Sequence, residues 1–328
     1  MIGDGENSLI ELIEHIYAQR DINEVSNVIY KNKNNEIIKN DFFSPVNINL
    51  VQPADYSDYD LSNCKTISMM LSKGCYWGKC KFCSYNYKKN FQIKTIDNAI
   101  NEIKHYIAEY DVKHISFIDD AIPPEYYNKL VAALIKNNIN ISFDSYAIFD
   151  KGFTKEVLAN CKKAGISKLT WGLETHSKQV FDYISKSGCF EAKSEILKNA
   201  HTVGIYNEIN VMEKLPNEKH EDLIQTVKFI YDNIDYIDDM TIQKFRLRVG
   251  SEFAQNPELY NLNIIEKKSL DLYYEFSNNN SNITENTSFC NEINNKINKN
   301  RTSQNAYKRE IIRLEATKYL EEFAPNLL

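Results

Sequence analysis

The chain has 328 residues, of which 43% are hydrophobic and 26% are charged. This composition is typical of a globular protein with a hydrophobic core, and the length allows two average domains or one large α/β domain with appendages. The longest uninterrupted apolar run, Leu130 to Ile135, is far shorter than the roughly 20 residues that a membrane span requires. The first residues, Met1 to Glu6, carry acid and no basic segment, which argues against a signal peptide. We therefore expect a cytoplasmic protein with no membrane partner.

The charge balance bears on the class of partner. The 39 Lys and Arg residues are outnumbered by 45 Asp and Glu residues, which gives a formal net charge of −6. A protein that grips a nucleic-acid backbone needs a large basic surface, so this balance disfavours nucleic acid as a partner. It does not exclude a small acidic or RNA substrate, because a local basic pocket would not show in the total.

The middle of the chain alternates between strand and helix patterns. Between the strands lie helix patterns such as Thr95–Tyr110, which repeats isoleucines every three or four residues behind a threonine cap. Alternation of this kind predicts a parallel sheet with right-handed crossovers, either open or closed toward a barrel. Six runs rich in β-branched and aromatic residues are the predicted strands: Thr66–Ser72, His114–Asp119, Asn140–Ser145, Lys168–Leu173, Tyr206–Met212 and Ile237–Lys244.

The two ends of the chain differ from this repeat. Residues 1–60 contain one clear helix pattern, Ser8–Tyr17, followed by an irregular polar stretch. Residues 251–328 look helical, with Arg309–Phe323 as the clearest amphipathic segment, and the stretch Asn278–Asn300 reads as a surface loop. We therefore predict three parts: residues 1–60, an α/β core at 61–250, and a helical extension at 251–328.

Three of the seven cysteines lie within nine residues. Cys75, Cys80 and Cys83 follow the first predicted strand at the spacing CxxxxCxxC, in a loop where parallel α/β folds carry their active sites. Thiolates at such short spacing can hold three corners of an iron–sulfur cluster and leave one iron open. The alternative is a zinc site with Cys64 as the fourth ligand, but structural zinc sites usually pair two CxxC units. The other cysteines are most simply buried small residues.

Acidic and polar side chains follow the other predicted strands. Because these strand ends meet at one edge of a parallel sheet, we expect a cradle for a cofactor around the cysteine loop. A glycosidase-like carboxylate pair formed by Asp120 and Glu174 is compatible with the residue types but leaves the cysteines unexplained. The members of this acidic ring are Asp119, Asp120, Asp144, Glu174, Glu208, Glu213, Gln243 and Lys244.

The loop Gly74–Ser84 resembles the cluster loop of radical S-adenosylmethionine (radical SAM) enzymes, including the aromatic Phe82 before the third cysteine. Its spacing is one residue longer than the commonest form, and its sequence is similar to that of the cobalamin-associated branch. The resemblance continues through most of residues 60 to 265. It includes Ser116–Asp120, Trp171–Ser177, the Ser185-Lys186-Ser187-Gly188 turn, Leu215–Glu218 and Phe245–Ser251.

This resemblance implies a partial (β/α)6 TIM-like barrel with a short N-terminal remnant and a helical C-terminal extension. It also implies a [4Fe-4S] cluster on Cys75, Cys80 and Cys83, with S-adenosylmethionine (SAM) chelated to the open iron. Phe82 would meet the adenine through its backbone, and Glu174 would hold the ribose hydroxyls. Asp119 and Asp120 would meet the methionyl amino group. Carboxylates suit an ammonium and a diol, and burial strengthens both contacts.

Two departures from the family stand out. The start of the chain resembles the last strand, loop and helix of a cobalamin-binding Rossmann-like domain, but no DxHxxG ligand motif occurs, so cobalamin binding by this chain alone is doubtful. Lys214 stands where relatives usually have glycine.

The resemblance implies reductive cleavage of SAM to a 5′-deoxyadenosyl radical, which would modify a peptide or small-metabolite substrate. An external one-electron reductant such as flavodoxin or ferredoxin would be needed. Two alternatives remain open: a cobalamin-dependent methyltransferase with a separate cobalamin subunit, and a non-catalytic iron–sulfur or zinc protein.

Overall fold

A computed structural model describes residues 5–40, 46–62, 64–84, 91–266, 272–278, 282–284, 287–290, 293 and 305–328. The chain divides into two compact units, one formed by residues 1–55 with 92–94 and the other by residues 56–91 with 95–328. Across these described ranges, no helix is both long enough and apolar enough to cross a membrane.

Helices and strands alternate through the middle of the chain. The helices are α1 (Glu6–Tyr17), α2 (Ile96–Tyr110), α3 (Pro124–Lys136), α4 (Lys155–Lys163), α5 (Lys178–Tyr183), α6 (Lys193–Thr202), α7 (His220–Asp232), α8 (Glu252–Gln255) and α9 (Asn305–Phe323). The strands are β1 (Ile29–Lys31), β2 (Ile37–Lys39), β3 (Thr66–Met69), β4 (Ser72–Lys73), β5 (Gln92–Ile93), β6 (His114–Phe117), β7 (Ser142–Ala147), β8 (Ile166–Glu174), β9 (Tyr206–Glu213), β10 (Asp239–Lys244), β11 (Leu247–Arg248), β12 (Leu262–Glu266) and β13 (Tyr273–Asn278).

The smaller unit contains the predicted N-terminal helix and a hairpin that the sequence did not predict. Helix α1 includes the whole predicted span Ser8–Tyr17, and strands β1 and β2 pair antiparallel, with Ile29 opposite Lys39. The Nδ1 atom of His15 lies 2.7 Å from the carbonyl oxygen of Asp21, which holds the ring of this buried histidine inside the unit.

The larger unit is built on a six-stranded parallel sheet. Its strand order is β3-β6-β7-β8-β9-β10, so each strand pairs with the strand of this sheet that comes before it in the sequence. A sheet that grows in one direction through right-handed crossovers keeps its helices on one face and curves toward a barrel. The predicted partial barrel is therefore confirmed, with all six predicted strands present and their ends shifted by a few residues.

The core lies between this sheet and the helices. Strand β6 buries Ile115 and Phe117, while strand β9 alternates strictly between buried and half-buried residues. Gly165, which follows the end of α4, has φ +100, and a Cβ atom there would lie 2.2 Å from the carbonyl oxygen of Ile141. Only glycine fits this position, because the left-handed backbone and the close strand both exclude a side chain.

The C-terminal part differs from the expectation that it is helical. Helix α9 confirms the predicted segment Arg309–Phe323, but β11, β13 and β12 form an antiparallel sheet in that order. The aromatic side chains of Tyr274 and Phe276 pack against a hydrophobic cluster that includes Phe253. Burial of these rings outweighs local helix propensity, which is a weak determinant of structure.

The predicted surface loop Asn278–Asn300 is also different from expectation. Part of it lies outside the described residues, but Phe289 and Cys290 are buried, and the backbone N–H of Cys290 donates to Oε2 of Glu213 at 3.0 Å. The sequence suggested a solvated loop because asparagine dominates this stretch and its few apolar residues form no clear pattern.

Candidate active site around the cysteine loop

The cysteine loop begins where the first parallel strand of the sheet ends. Gly74 and Gly78 have φ values of +79 and +56, which let the chain turn sharply between β4 and Cys80. Glycine adopts this left-handed conformation at little cost. Because the loop follows the end of a parallel strand, its predicted location at the C-terminal edge of the sheet is confirmed.

Asp119 fixes the start of this loop. Its carboxylate accepts hydrogen bonds from the backbone N–H of Leu71, at 3.0 and 3.1 Å, and from Oγ of Ser72 at 2.7 Å; the backbone N–H of Ser72 also donates to it. Asp119 is 2% exposed, and burial raises its pKa to about 6 against the opposing effect of these donors. Asp119 therefore acts on the loop itself.

The side chain of Asp120, the next residue, points to the opposite face from that of Asp119. Consecutive residues of an extended segment point to opposite faces, so Asp120 is exposed where Asp119 is buried. Desolvation by the surrounding protein raises the pKa of Asp120, and Arg248 at the end of β11 lowers it. Asp119 and Asp120 were predicted to act together, but their surroundings differ. Asp119 holds the loop, whereas the carboxylate of Asp120 is exposed.

A turn after α5 holds the middle of the loop. The backbone N–H of Lys81 donates to the carbonyl of Ile184 at 3.0 Å, and Nε1 of Trp77 donates to the carbonyl of Ser185 at 2.9 Å. Two hydrogen bonds bind the cysteine loop to this turn, which runs into the segment Ser185–Gly188 that the family resemblance includes without a role.

Helix α8 and the residues after it support the loop from a second direction. The backbone N–H of Phe253 donates to the carbonyl of Lys81 at 3.1 Å, and Phe82 packs against the hydrophobic cluster around Phe253. Nζ of Lys81 lies 5.2 Å from the ring centre of Tyr183 and 5.1 Å from that of Tyr260. The part of the chain that was predicted to be a helical extension therefore helps to position the predicted ligands.

The thiols have the chemistry expected of metal ligands. Cys75, Cys80 and Cys83 form no disulfide and are half-buried, whereas Cys161 is buried and Cys64 is exposed. Burial raises the pKa of Cys80, while Lys186 and the N–H of Ser187 lower it. Soft thiolates suit iron–sulfur clusters, so the donor set fits such a group. Within the described residues, no group of three or more His, Cys, Asp or Glu side chains is arranged to hold a metal ion.

Glu174 ends the fourth strand of the barrel beside this loop. It has φ +58, is 8% exposed, and its Oε1 atom accepts a hydrogen bond from Nζ of Lys186 at 3.0 Å. Burial alone would lower the pKa of Lys186, but Glu174 and the thiols of Cys80 and Cys75 raise it overall. Lys186 therefore stays charged and links the predicted ribose ligand to the predicted cluster ligands.

Gly172 makes room for this ion pair. A Cβ atom at position 172 would lie 2.7 Å from Nζ of Lys186 and 3.1 Å from Oε1 of Glu174. Both Lys186 and Gly172 belong to segments whose sequence matched the family, which was the only signal in the sequence that marked them.

The remaining members of the predicted acidic ring have other partners. Strand β7 runs two residues further than predicted, so Asp144 lies inside the strand. A carboxylate oxygen of Asp144 lies 2.6 Å from Nε2 of His114. Glu208 lies inside β9 and pairs with Lys168 at 2.5 Å. Glu213 ends β9 but is fully buried against the segment that contains Cys290. The structure thus brings Asp119 and Glu174, and not the whole ring, to the cysteine loop.

Lys214 occupies a backbone position that favours glycine. It follows Glu213 with φ +62, in the left-handed region. This conformation gives a physical reason for the glycine expected at that point of the family pattern.

Comparison with known proteins agrees with this geometry. Residues 69–230 match the family model of the Radical SAM superfamily. Over 246 residues the chain is 24% identical to an uncharacterized methyltransferase of Pyrococcus horikoshii, which covers 71% of this chain and 53% of that protein. It is 23% identical over 288 residues to the 4′-phospho-dehydrooxetanocin synthase of Priestia megaterium, covering 77% of this chain and 38% of that protein.

Solved structures show the same fold. The cobalamin-dependent S-adenosylmethionine radical enzyme OxsB, with aqua-cobalamin bound, superposes with a TM-score of 0.72 at 15% identity, over 96% of this chain and 54% of that chain. The radical S-adenosylmethionine methyltransferase TsrM from Kitasatospora setae gives a TM-score of 0.59 at 14% identity, over 77% and 52% of the two chains. The present chain spans about half or less of the length of each of these four proteins.

Proposed function

Because residues 69–230 match the family model of the Radical SAM superfamily, we propose that this chain is an enzyme that binds a [4Fe-4S] cluster and SAM and modifies a peptide or small metabolite. The observation that carries the proposal is the position of three thiols, Cys75, Cys80 and Cys83, on a loop that is held in place by Asp119, by the turn after α5 and by α8. When bound, the cluster supplies the electron that cleaves SAM to methionine and a 5′-deoxyadenosyl radical, which takes a hydrogen atom from the substrate.

The protein's own contribution is positioning and charge. Cys75, Cys80 and Cys83 would be the three thiolate ligands, and Asp119 would keep their loop in one conformation through its three donors. Lys186 would offset the negative charge that accumulates near Cys80 when thiolates form. A buried cation is effective here, because charges interact more strongly in surroundings with little water.

The SAM contacts follow from the same set of residues. Glu174 would accept hydrogen bonds from the two ribose hydroxyls, with Lys186 fixing the orientation of its carboxylate. Asp120 would receive the methionyl ammonium, since it is the exposed member of the aspartate pair. The backbone of Phe82 would meet the adenine. Charged hydrogen bonds of this kind are worth about 1.5–3 kcal/mol each.

The test is anaerobic reconstitution of the purified chain with iron and sulfide, followed by incubation with SAM and dithionite. We expect about four iron atoms per chain, as a [4Fe-4S] cluster contains, and formation of 5′-deoxyadenosine. Incorporation of zinc in place of iron, or an iron-loaded protein that forms no 5′-deoxyadenosine, would overturn the proposal in favour of a non-catalytic metal protein.

Methyl transfer is the second candidate for the overall reaction. It is favoured by the similarity to a methyltransferase of Pyrococcus horikoshii and by the shared fold with two cobalamin-dependent or cobalamin-bound enzymes. A separate subunit would supply the cobalamin in that case. Methylation that depends on an added cobalamin protein would identify this reaction.

A further inference from the structure

Lys193, the first residue of α6, is a buried lysine that none of the contacts proposed above uses. It is 1% exposed. A lysine is almost never fully buried unless other groups compensate for the loss of water around its amino group. The surroundings of Lys193 therefore bear on why the chain has a lysine at this position.

The amino group of Lys193 lies against one backbone carbonyl and two aromatic rings. Its Nζ atom donates a hydrogen bond to the carbonyl oxygen of Thr175 at 3.0 Å. It lies 4.5 Å from the ring centre of Phe181 and 4.7 Å from that of Phe190, and aromatic faces of this kind attract a cation. Burial and the nearby charge of Lys186 lower the pKa of Lys193 to about 7. The contact with Thr175 is thus present although burial disfavours the charged form of the lysine.

Thr175 directly follows Glu174, the residue proposed to hold the ribose. Glu174 has φ +58, a left-handed backbone conformation that residues with a side chain rarely adopt. The backbone N–H of Thr175 donates to the carbonyl of Leu173 at 2.7 Å, so the chain bends sharply at Glu174. A conformation of this kind persists only where surrounding contacts hold it. The hydrogen bond from Lys193 is one of these contacts, one residue after the bend.

Helix α7 holds the same turn from another side. Oγ1 of Thr226 accepts a hydrogen bond from the backbone N–H of His176 at 2.9 Å and lies 3.2 Å from Oγ1 of Thr175. Oγ of Ser177 donates to Oδ1 of Asp222 at 2.5 Å. Helix α7 therefore binds an N–H group and two hydroxyls of the turn, whereas α6 binds a carbonyl.

We propose that Lys193 is a positioning residue for SAM binding, which holds the turn after Glu174 so that this carboxylate is presented to the ribose; this inference rests on the proposed function. Lys186 binds the carboxylate of Glu174, and Lys193 binds the backbone that carries it. Loss of the amino group would leave the buried carbonyl of Thr175 without this donor. The turn would then relax, and a smaller fraction of molecules would present Glu174 in the binding conformation.

The experiment is a double-mutant cycle on SAM affinity. Lys193→Met has nearly the same length but no donor, and it is made in the wild type and in Glu174→Gln. Lys198→Met is the matched control, because Lys198 is an exposed lysine on the same helix. The reconstituted proteins are titrated with SAM by calorimetry. KM and kcat for 5′-deoxyadenosine formation are measured with dithionite, and the cluster absorbance is recorded for each protein.

We expect Lys193→Met to raise Kd and KM for SAM about fivefold or more, with kcat and cluster absorbance little changed. In Glu174→Gln the same substitution should add about twofold or less, because residues that act through one contact are not additive. Lys198→Met should behave as the wild type. An unchanged Kd in Lys193→Met, or an equal loss of affinity in both backgrounds, would overturn the proposal.

Lys193→Gln keeps the experiment decisive if Lys193→Met does not fold. Its side chain is one bond shorter, so its amide does not reach the carbonyl of Thr175 at hydrogen-bond distance. We expect a loss of SAM affinity that again disappears in the Glu174→Gln background. An unchanged affinity, or an equal loss in both backgrounds, would refute the positioning role. Absence of 5′-deoxyadenosine from the wild-type chain would instead refute the proposed function.

Discussion

Nζ of Lys186 lies 3.0 Å from Oε1 of Glu174, and the short helix α5 separates the two residues in the chain, since Glu174 ends strand β8 before the helix and Lys186 follows it. The same lysine lies close enough to Cys80 and Cys75 for both thiols to raise its pKa. One buried cation therefore serves the two halves of the candidate site.

The first prediction concerns Glu174. Replacement by Gln removes the charge proposed to hold the ribose, so SAM affinity should fall roughly tenfold or more, the equivalent of one charged hydrogen bond. Calorimetric titration of the reconstituted protein with SAM measures this loss, and the cluster absorbance should be unchanged. The control is Glu208→Gln, which breaks the comparable pair with Lys168 on the neighbouring strand. Equal affinity in wild type and Glu174→Gln would remove Glu174 from the site.

The second prediction separates an open three-cysteine site from a closed four-cysteine site. Alanine at Cys75, Cys80 or Cys83 should abolish most iron and sulfide retention after reconstitution, because each removes one of three ligands. Cys64→Ala is the matched control, since this exposed thiol lies before β3, outside the loop. Iron and sulfide analysis decides the matter. Equal metal loss in Cys64→Ala and Cys80→Ala would point to a four-thiolate zinc or iron site.

The third prediction is a pH dependence that arises from Asp119. Its pKa is raised by burial from 3.8 to about 6, so its protonated form favours the folded state. This contribution is complete below pH 3.8 and is lost as the pH rises through about 6. This pKa shift of Asp119 corresponds to a contribution to the free energy of unfolding on the order of 3 kcal/mol.

Denaturant titrations of the wild type and of Asp119→Asn between about pH 4 and about pH 7.5 test this dependence. The stability of the wild type relative to the variant should decrease over this range, whereas the surface variant Asp232→Asn should track the wild type. A constant difference between the wild type and Asp119→Asn would show that Asp119 is ionised throughout.

The fourth prediction concerns cobalamin. The chain contains no DxHxxG motif, and His15, the one histidine in the first 60 residues, directs Nδ1 at the backbone carbonyl of Asp21. We expect the purified chain to form 5′-deoxyadenosine without added cobalamin and to release hydroxocobalamin during gel filtration. Stoichiometric retention of hydroxocobalamin would contradict this and would make methyl transfer the leading function.

Much of the fold could be read from the sequence because its signals are local. The six parallel strands are short β-branched runs, and their helices have caps and glycine stops within a few residues of each end. The cysteine loop is equally local, since its spacing and its position after β3 are both properties of a short stretch of chain. The C-terminal strands were missed because their aromatic residues acquire a preference for sheet only when packed on Phe253.

The sequence by itself determined the barrel and the place of the three cysteines, whereas only the tertiary structure decided which charged groups meet there. Adjacent aspartates looked equivalent, yet the direction of the chain sends Asp119 to the loop backbone and leaves Asp120 exposed. Lys186 resembled any lysine in a polar turn until α5 brought it back to Glu174. A buried charge gains its role from its partners across space, and those partners depend on how strand ends and turns meet after folding.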